Sequence, residues 1–127
     1  MLLKNQEARR LPMTHSIEHN SQVPREQWPR FFDEFARDNE GRLVQLESFG
    51  GPLGEEPIGR SLPLLSINYD PRGKGDVVLI STGKKEVEYE HAIDSPQEIW
   101  VEQDQEGRGK ALEIIGTNGD HTVVAIQ

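Results

Sequence analysis

His15-Ser16-Ile17-Glu18-His19 spells H-x-x-E-H. On a helix that spacing sets two imidazoles on one face, where they hold zinc while the glutamate acts as a general base. A zinc hydrolase also needs a third ligand, a fixed helix and a cleft, and this pentapeptide stands in a stretch without helical periodicity. It is read as a chance placement, and no metal site is expected. His91 is the better candidate for chemistry. Val87, Tyr89, His91 and Ile93 alternate with Glu86, Glu88 and Glu90, which puts the imidazole on the apolar side of a strand and the carboxylates on the wet side. An imidazole held there can relay protons or sense pH, although a lone half-buried histidine is more often a core residue bonded to a backbone carbonyl.

Four aromatic side chains, Trp28, Tyr69, Tyr89 and Trp100, occupy inward positions of the predicted helix and strands. A ligand pocket between helix and sheet would be lined by these four, with His91 as its polar member. The remaining motifs fail on spacing. Glu86, Glu88 and Glu90 share a face that suits a cation, but a solvated strand face accounts for them as well. Asp70, Gly73, Gly75 and Asp76 miss the calcium-loop pattern and have Lys74 among them. Each of the pairs Gly73-Lys74, Gly83-Lys84 and Gly109-Lys110 lacks the upstream glycine of a phosphate-binding loop, with Asn68, Val78 and Asp104 standing there instead. No G-x-S-x-G motif accompanies His91, and nothing selects a catalytic pair from the 22 acidic residues. No catalytic residue and no cofactor are assigned.

The elements that must position these residues are legible from hydrophobic period. Trp28, Phe31, Phe32 and Phe35 follow helical spacing, with Pro29 suited to an opening turn and Gly41 to a C-terminal cap, so a helix is expected over 29–39. Arg30 with Glu34 and Asp33 with Arg37 fall four apart on its wet side. Beyond Gly41 the period becomes alternating over 43–49, 64–69, 77–82, 86–93, 98–103, 111–115 and 121–126. Turn chemistry separates these runs: Gly50-Gly51-Pro52, Asp70-Pro71-Arg72-Gly73, Ser95-Pro96, Glu106-Gly107 and Asn118-Gly119. The segment 53–63, with two prolines, reads as a loop or an edge strand. One helix cannot supply the crossovers of a parallel sheet. The expectation is therefore an α+β fold, with one N-terminal helix on an antiparallel, meander-like sheet or partly closed barrel of about six to seven strands.

The chain has 127 residues, which suits one core and no more. Residues 1–22 read as a disordered or extended arm and 23–127 as a single globular domain. Met13 lies within the arm and is a plausible alternative start. A net charge of -8 works against binding a polyanion, so nucleic acid is not an expected partner. No cysteine is present, which removes disulfides and thiolate chemistry. The first residues lack the apolar run of a signal peptide or membrane span, and a cytoplasmic location is expected.

Val23-Pro24-Arg25-Glu26-Gln27-Trp28 followed by Phe31-Phe32-Asp33, Gly41 before Leu43-Val44, Tyr69-Asp70-Pro71 and His91-Ala92-Ile93-Asp94-Ser95-Pro96 carry a resemblance. Over roughly residue 17 to the C-terminus the chain resembles a family of small bacterial proteins defined only as domain of unknown function 5335. The resemblance implies a stand-alone bacterial domain without an assigned activity or cofactor, and it carries over no catalytic residue. The leading expectation for function is a non-enzymatic interaction module with a protein partner or self-association, the latter by extension from an open edge at 43–49. The competing expectation is a small ligand-binding protein or enzyme whose pocket contains His91.

Overall fold

In the computed structural model the described residues are 19–51, 54–117 and 119–127. Their elements are β1 (His19–Gln22), a 3-10 turn (Arg25–Gln27), α1 (Trp28–Asn39), β2 (Leu43–Gly51), β3 (Gly54–Asp70), β4 (Val77–Thr82), β5 (Tyr89–Asp94), β6 (Glu98–Gln103), β7 (Gly109–Ile115) and β8 (His121–Ile126). The helix forms where the aromatic period predicts it. Trp28, Phe32 and Phe35 are buried, and α1 ends as Gly41 takes a φ of 84° and donates its N–H to the Leu64 carbonyl.

All eight strands are antiparallel in one sheet of order β1-β6-β7-β8-β2-β3-β4-β5. The α+β class holds, but the sheet has one strand more than the expected six to seven and does not close into a barrel. The extra strand is β1, the last four residues of the predicted arm, which pair with β6 from His19 opposite Gln103 to Gln22 opposite Trp100. His-Asn-Ser-Gln has no apolar alternation, so its strand character comes from backbone bonding to β6 and leaves no trace in hydropathy. Because His19 opens this strand, it is not in the helix that H-x-x-E-H requires; positions 15–18 lie outside the described residues, as does Met13.

The order also differs from a simple meander. The hairpin series β2 to β5 and the series β6 to β8 are each sequential, and they join through β8 against β2. β5 and β6 stand far apart in that order yet are linked only by residues 95–97. Six flat steps of about 4.8 Å would separate them by roughly 29 Å, more than the ~14 Å that so short a link spans. The sheet therefore rolls over itself, assisted by register shifts between Val44 and Leu46 and between Leu64 and Ser66. The rolled sheet brings His91 of β5 across to Thr122 of β8, Nε2 to Oγ1 at 3.3 Å. The β5–β6 link is held from several directions: Ser95 N–H donates to Asp76, Gln97 N–H to Ile115, Thr117 Oγ1 to the Ser95 carbonyl and Arg25 Nη2 to the Pro96 carbonyl.

The core lies inside the roll, where Val44, Leu46, Leu64, Ile67, Val78, Ile80, Ile99, Leu112, Ile114 and Val124 meet the rings of α1. β2 is paired on both sides, with β3 and β8, so the expected open edge at 43–49 does not exist. β3 explains why that edge was misread. Its first half falls in the segment 53–63, which reads as either a loop or an edge strand and is a strand laid on β2, and its second half turns to pair with β4. β5 begins at Tyr89 rather than at position 86, and Val87 is 50% exposed in the preceding loop. The carboxylates of 86, 88 and 90 accordingly form no strand stripe: Glu88 Oε2 accepts from the Lys84 N–H, while Glu90 on β5 is 3.4 Å from Ser81 Oγ. Residues 70–76 form the β3–β4 turn, closed by Lys74 and Asp76 N–H groups on the Pro71 carbonyl.

Candidate functional site

The five pocket residues named from the sequence are placed as follows. Trp28 is buried, donates its indole N–H to the Val23 carbonyl at 2.9 Å and meets the Tyr69 ring edge-on at 5.6 Å. Tyr89 packs half-buried against the core from the start of β5. His91, two residues on, points to the same side, and burial pushes its imidazole below the ordinary 6.5. Trp100 alternates with the core residues Ile99 and Val101, so it stands on the outer face of the sheet, where its indole N–H donates to Glu98 at 2.9 Å. The sheet itself separates Trp100 from the other four.

That outer face holds the described chain's buried carboxylates. Glu113 is 4% exposed and contacts His121 Nδ1 at 2.5 Å, while Glu102 is 2% exposed and 3.9 Å from Lys110 Nζ. The space beside them, bounded by Asn20, Trp100 and Val123, is only about 10 Å³, too small for a ligand. Among the described residues no three His, Cys, Asp or Glu side chains converge as a metal cage.

A substantial cavity between helix and sheet lies elsewhere, along the C-terminal half of α1. It has a volume of about 540 Å³, within the range of ligand sites. Its floor is Phe31, Phe35 and Val101, and its far wall is the β6–β7 turn. Gly109 makes the close approach possible: a Cβ there would stand 2.9 Å from the Phe35 ring. Glu34 and Asp38 rim the helix side, with Arg42 and Arg108 lining the groove as well. Two local devices hold the cations. Asn39, buried, donates Nδ2 to the Phe35 carbonyl and accepts from Arg42 Nη1 at 3.4 Å. Asp104 accepts the N–H groups of Glu106 and Arg108 and the Arg108 guanidinium Nε at 3.2 Å. The Arg108 backbone N–H foremost, then its charge, hold the Asp104 carboxyl below the ordinary carboxylate value.

Sequence reasoning assigned Phe31 and Phe35 to the core, read Gly109 as a turn glycine and gave no role to Arg42 or Arg108. Nothing in the sequence marked Gly109, the first residue of β7, as the point where the Phe35 ring closes in. The groove's described lining holds no serine, histidine or cysteine, and its ionisable groups are the carboxylates of Glu34 and Asp38 and the guanidinium groups of Arg42 and Arg108.

A 30% identical relative from Aquifex aeolicus (strain VF5), described as an uncharacterized protein, aligns over 105 residues, 83% of this chain and 89% of that protein. No solved structure matches. No helix of the described chain is long and apolar enough to cross a membrane. The family model of DUF5335, a family of unknown function, matches residues 19–127, from the first residue of β1 to the C-terminus, and the chain belongs to that family.

Proposed function

We propose that this protein is a non-enzymatic interaction module of the bacterial cytoplasm, and that its recognition surface is the groove between α1 and the β6–β7 turn. The observation that carries this reading is the groove's make-up, an apolar floor of Phe31, Phe35 and Val101 under charges of both signs, with no hydroxyl, thiol or imidazole of Ser, Cys or His among its described lining. Such a lining suits a peptide segment with one apolar anchor flanked by a basic and an acidic residue, since Glu34 and Asp38 complement the first and Arg42 the second. The test is a set of short peptides with leucine between lysine and glutamate, titrated while amide resonances are followed. Shifts should cluster at residues 31–42 and 101–109 in the parent chain and disappear in Phe31→Ser. Shifts scattered over the surface, or unchanged in the variant, would refute the assignment.

A second reading, a small ligand-binding protein or enzyme centred on His91, draws support from that imidazole's half-burial and its approach to Thr122. It predicts that His91→Ala abolishes retention of some metabolite in a thermal-shift screen, and a full screen in which parent and variant respond alike would remove it.

A further inference from the structure

We propose that a second cavity, the notch between the start of α1 and the β3–β4 turn, binds a small organic monocarboxylate. The notch has a volume of about 240 Å³ and is lined by Arg25, Glu26, Pro29, Tyr69, Pro71 and Arg72. It shares no lining residue with the groove beside Phe31 and Phe35.

Two guanidinium groups at one small cavity stand out in a chain of net charge -8. Arg25 is held in place before any ligand arrives: its Cζ lies 4.2 Å from the centroid of the Trp28 ring, and Nη2 donates to the Pro96 carbonyl at 3.1 Å. Its other terminal nitrogen, Nη1, is buried and has no acceptor among the described residues. Tyr69 is fixed as well, its ring wedged against Trp28 at 5.6 Å and Phe32 at 5.7 Å, while its hydroxyl has no hydrogen-bond partner among the described residues. Arg72, on the exposed turn, pairs with no carboxylate among them. The fold has thus already met the entropic cost of ordering a guanidinium and a phenol that each keep one donor group without an acceptor among the described residues, which is the condition under which a ligand binds with little further loss.

The remaining lining decides the ligand class. Pro29, Pro71 and the Tyr69 ring offer flat apolar walls, which favour an organic body over a bare inorganic ion. Glu26 at the same cavity cancels one of the two positive charges, leaving a balance that matches a single negative charge and disfavours a dianion. The planar fork of a guanidinium matches the two oxygens of a carboxylate.

Benzoate, benzamide and phenyl phosphate, titrated separately into the full chain, distinguish these requirements. Benzoate should shift the side-chain signals of Tyr69 and Arg72 and the amides of the β3–β4 turn. Benzamide, of the same shape without charge, should not, and phenyl phosphate above its second ionisation should bind more weakly than benzoate. Arg72→Gln removes a charge-assisted contact from an exposed turn and should weaken benzoate by about tenfold with an unchanged unfolding midpoint. Tyr69→Phe keeps the ring packing and should weaken it by about threefold. Equal binding of benzoate and benzamide, undiminished binding in Arg72→Gln, or absence of shifts at the notch would each overturn the proposal.

Discussion

At its start α1 is clamped: Trp28 is 1% exposed, its indole N–H is bonded to Val23, its ring meets Tyr69 and Arg25 lies over it. Less than one turn later Phe31, from the same aromatic stripe, is only half-buried and forms the floor of an open groove. The hydrophobic period treats the two side chains alike, because period reports which way a residue points and not how far away the opposing surface stands. At the first end the β5–β6 link and the end of β3 close onto the helix. Farther along, Phe35 and Asn39 remain buried, but Phe31 faces the β6–β7 turn across about 540 Å³.

The contrast is broken most severely at the clamp. Trp28→Ala should cost about 3–5 kcal/mol, measured by urea denaturation, because it empties a packed site and leaves the Val23 carbonyl without its donor. A loss similar to that of an exposed residue would show that the clamp is not the anchor of α1. Gly109→Ala comes next. Its new Cβ must displace the Phe35 ring, at an expected cost of about 1–3 kcal/mol together with a narrower groove, and stability equal to the parent would mean that the turn yields freely.

His91 provides a pH-dependent test of the rolled sheet. Its folded-state pKa lies below the unfolded value of 6.5, so the unfolded chain binds the proton more readily. The contribution of neutral His91 is fully present above about 6.5 and declines as pH falls from there through the lowered folded value. The stability difference between the parent and His91→Gln should therefore change in that interval and be flat above it, as followed by denaturation midpoints across pH. A difference independent of pH would place His91 in water and open the contact with Thr122.

Phe31→Ser should lower stability by less than about 1.5 kcal/mol, since the ring is only partly covered, while removing peptide binding at the groove. An equal loss at Phe31 and Trp28 would erase the distinction between the two ends. Smallest of all, Arg30→Ala removes a surface pair with Glu34 at 3.7 Å and should change stability by about 0.5 kcal/mol or less.

Much of the fold was legible because most of its elements bury one face. Seven strands and the helix declared themselves through alternation or helical spacing, and Gly41, Gly73 and Gly107 stand with positive φ where turn chemistry placed them. β1 escaped because a polar strand of four residues is held by backbone bonds alone, and the 86–88 segment was overextended because alternation in sequence persists into a loop. Of the site, the sequence showed the individual aromatic residues and the inward direction of His91, but not which of them share a space. Trp100 alternates as Trp28 recurs, and only the sheet's two faces tell them apart.

The amino-acid order alone thus settled the local periods, the turns and the absence of thiol chemistry, since each depends on neighbours in the chain. The roll of the sheet, the interior position of β2, the groove beside Phe31 and the meeting of Arg25 with Tyr69 were decided by tertiary structure. They arise from pairings between residues distant in sequence, and no local propensity specifies the distance between two surfaces that meet only after the chain has folded.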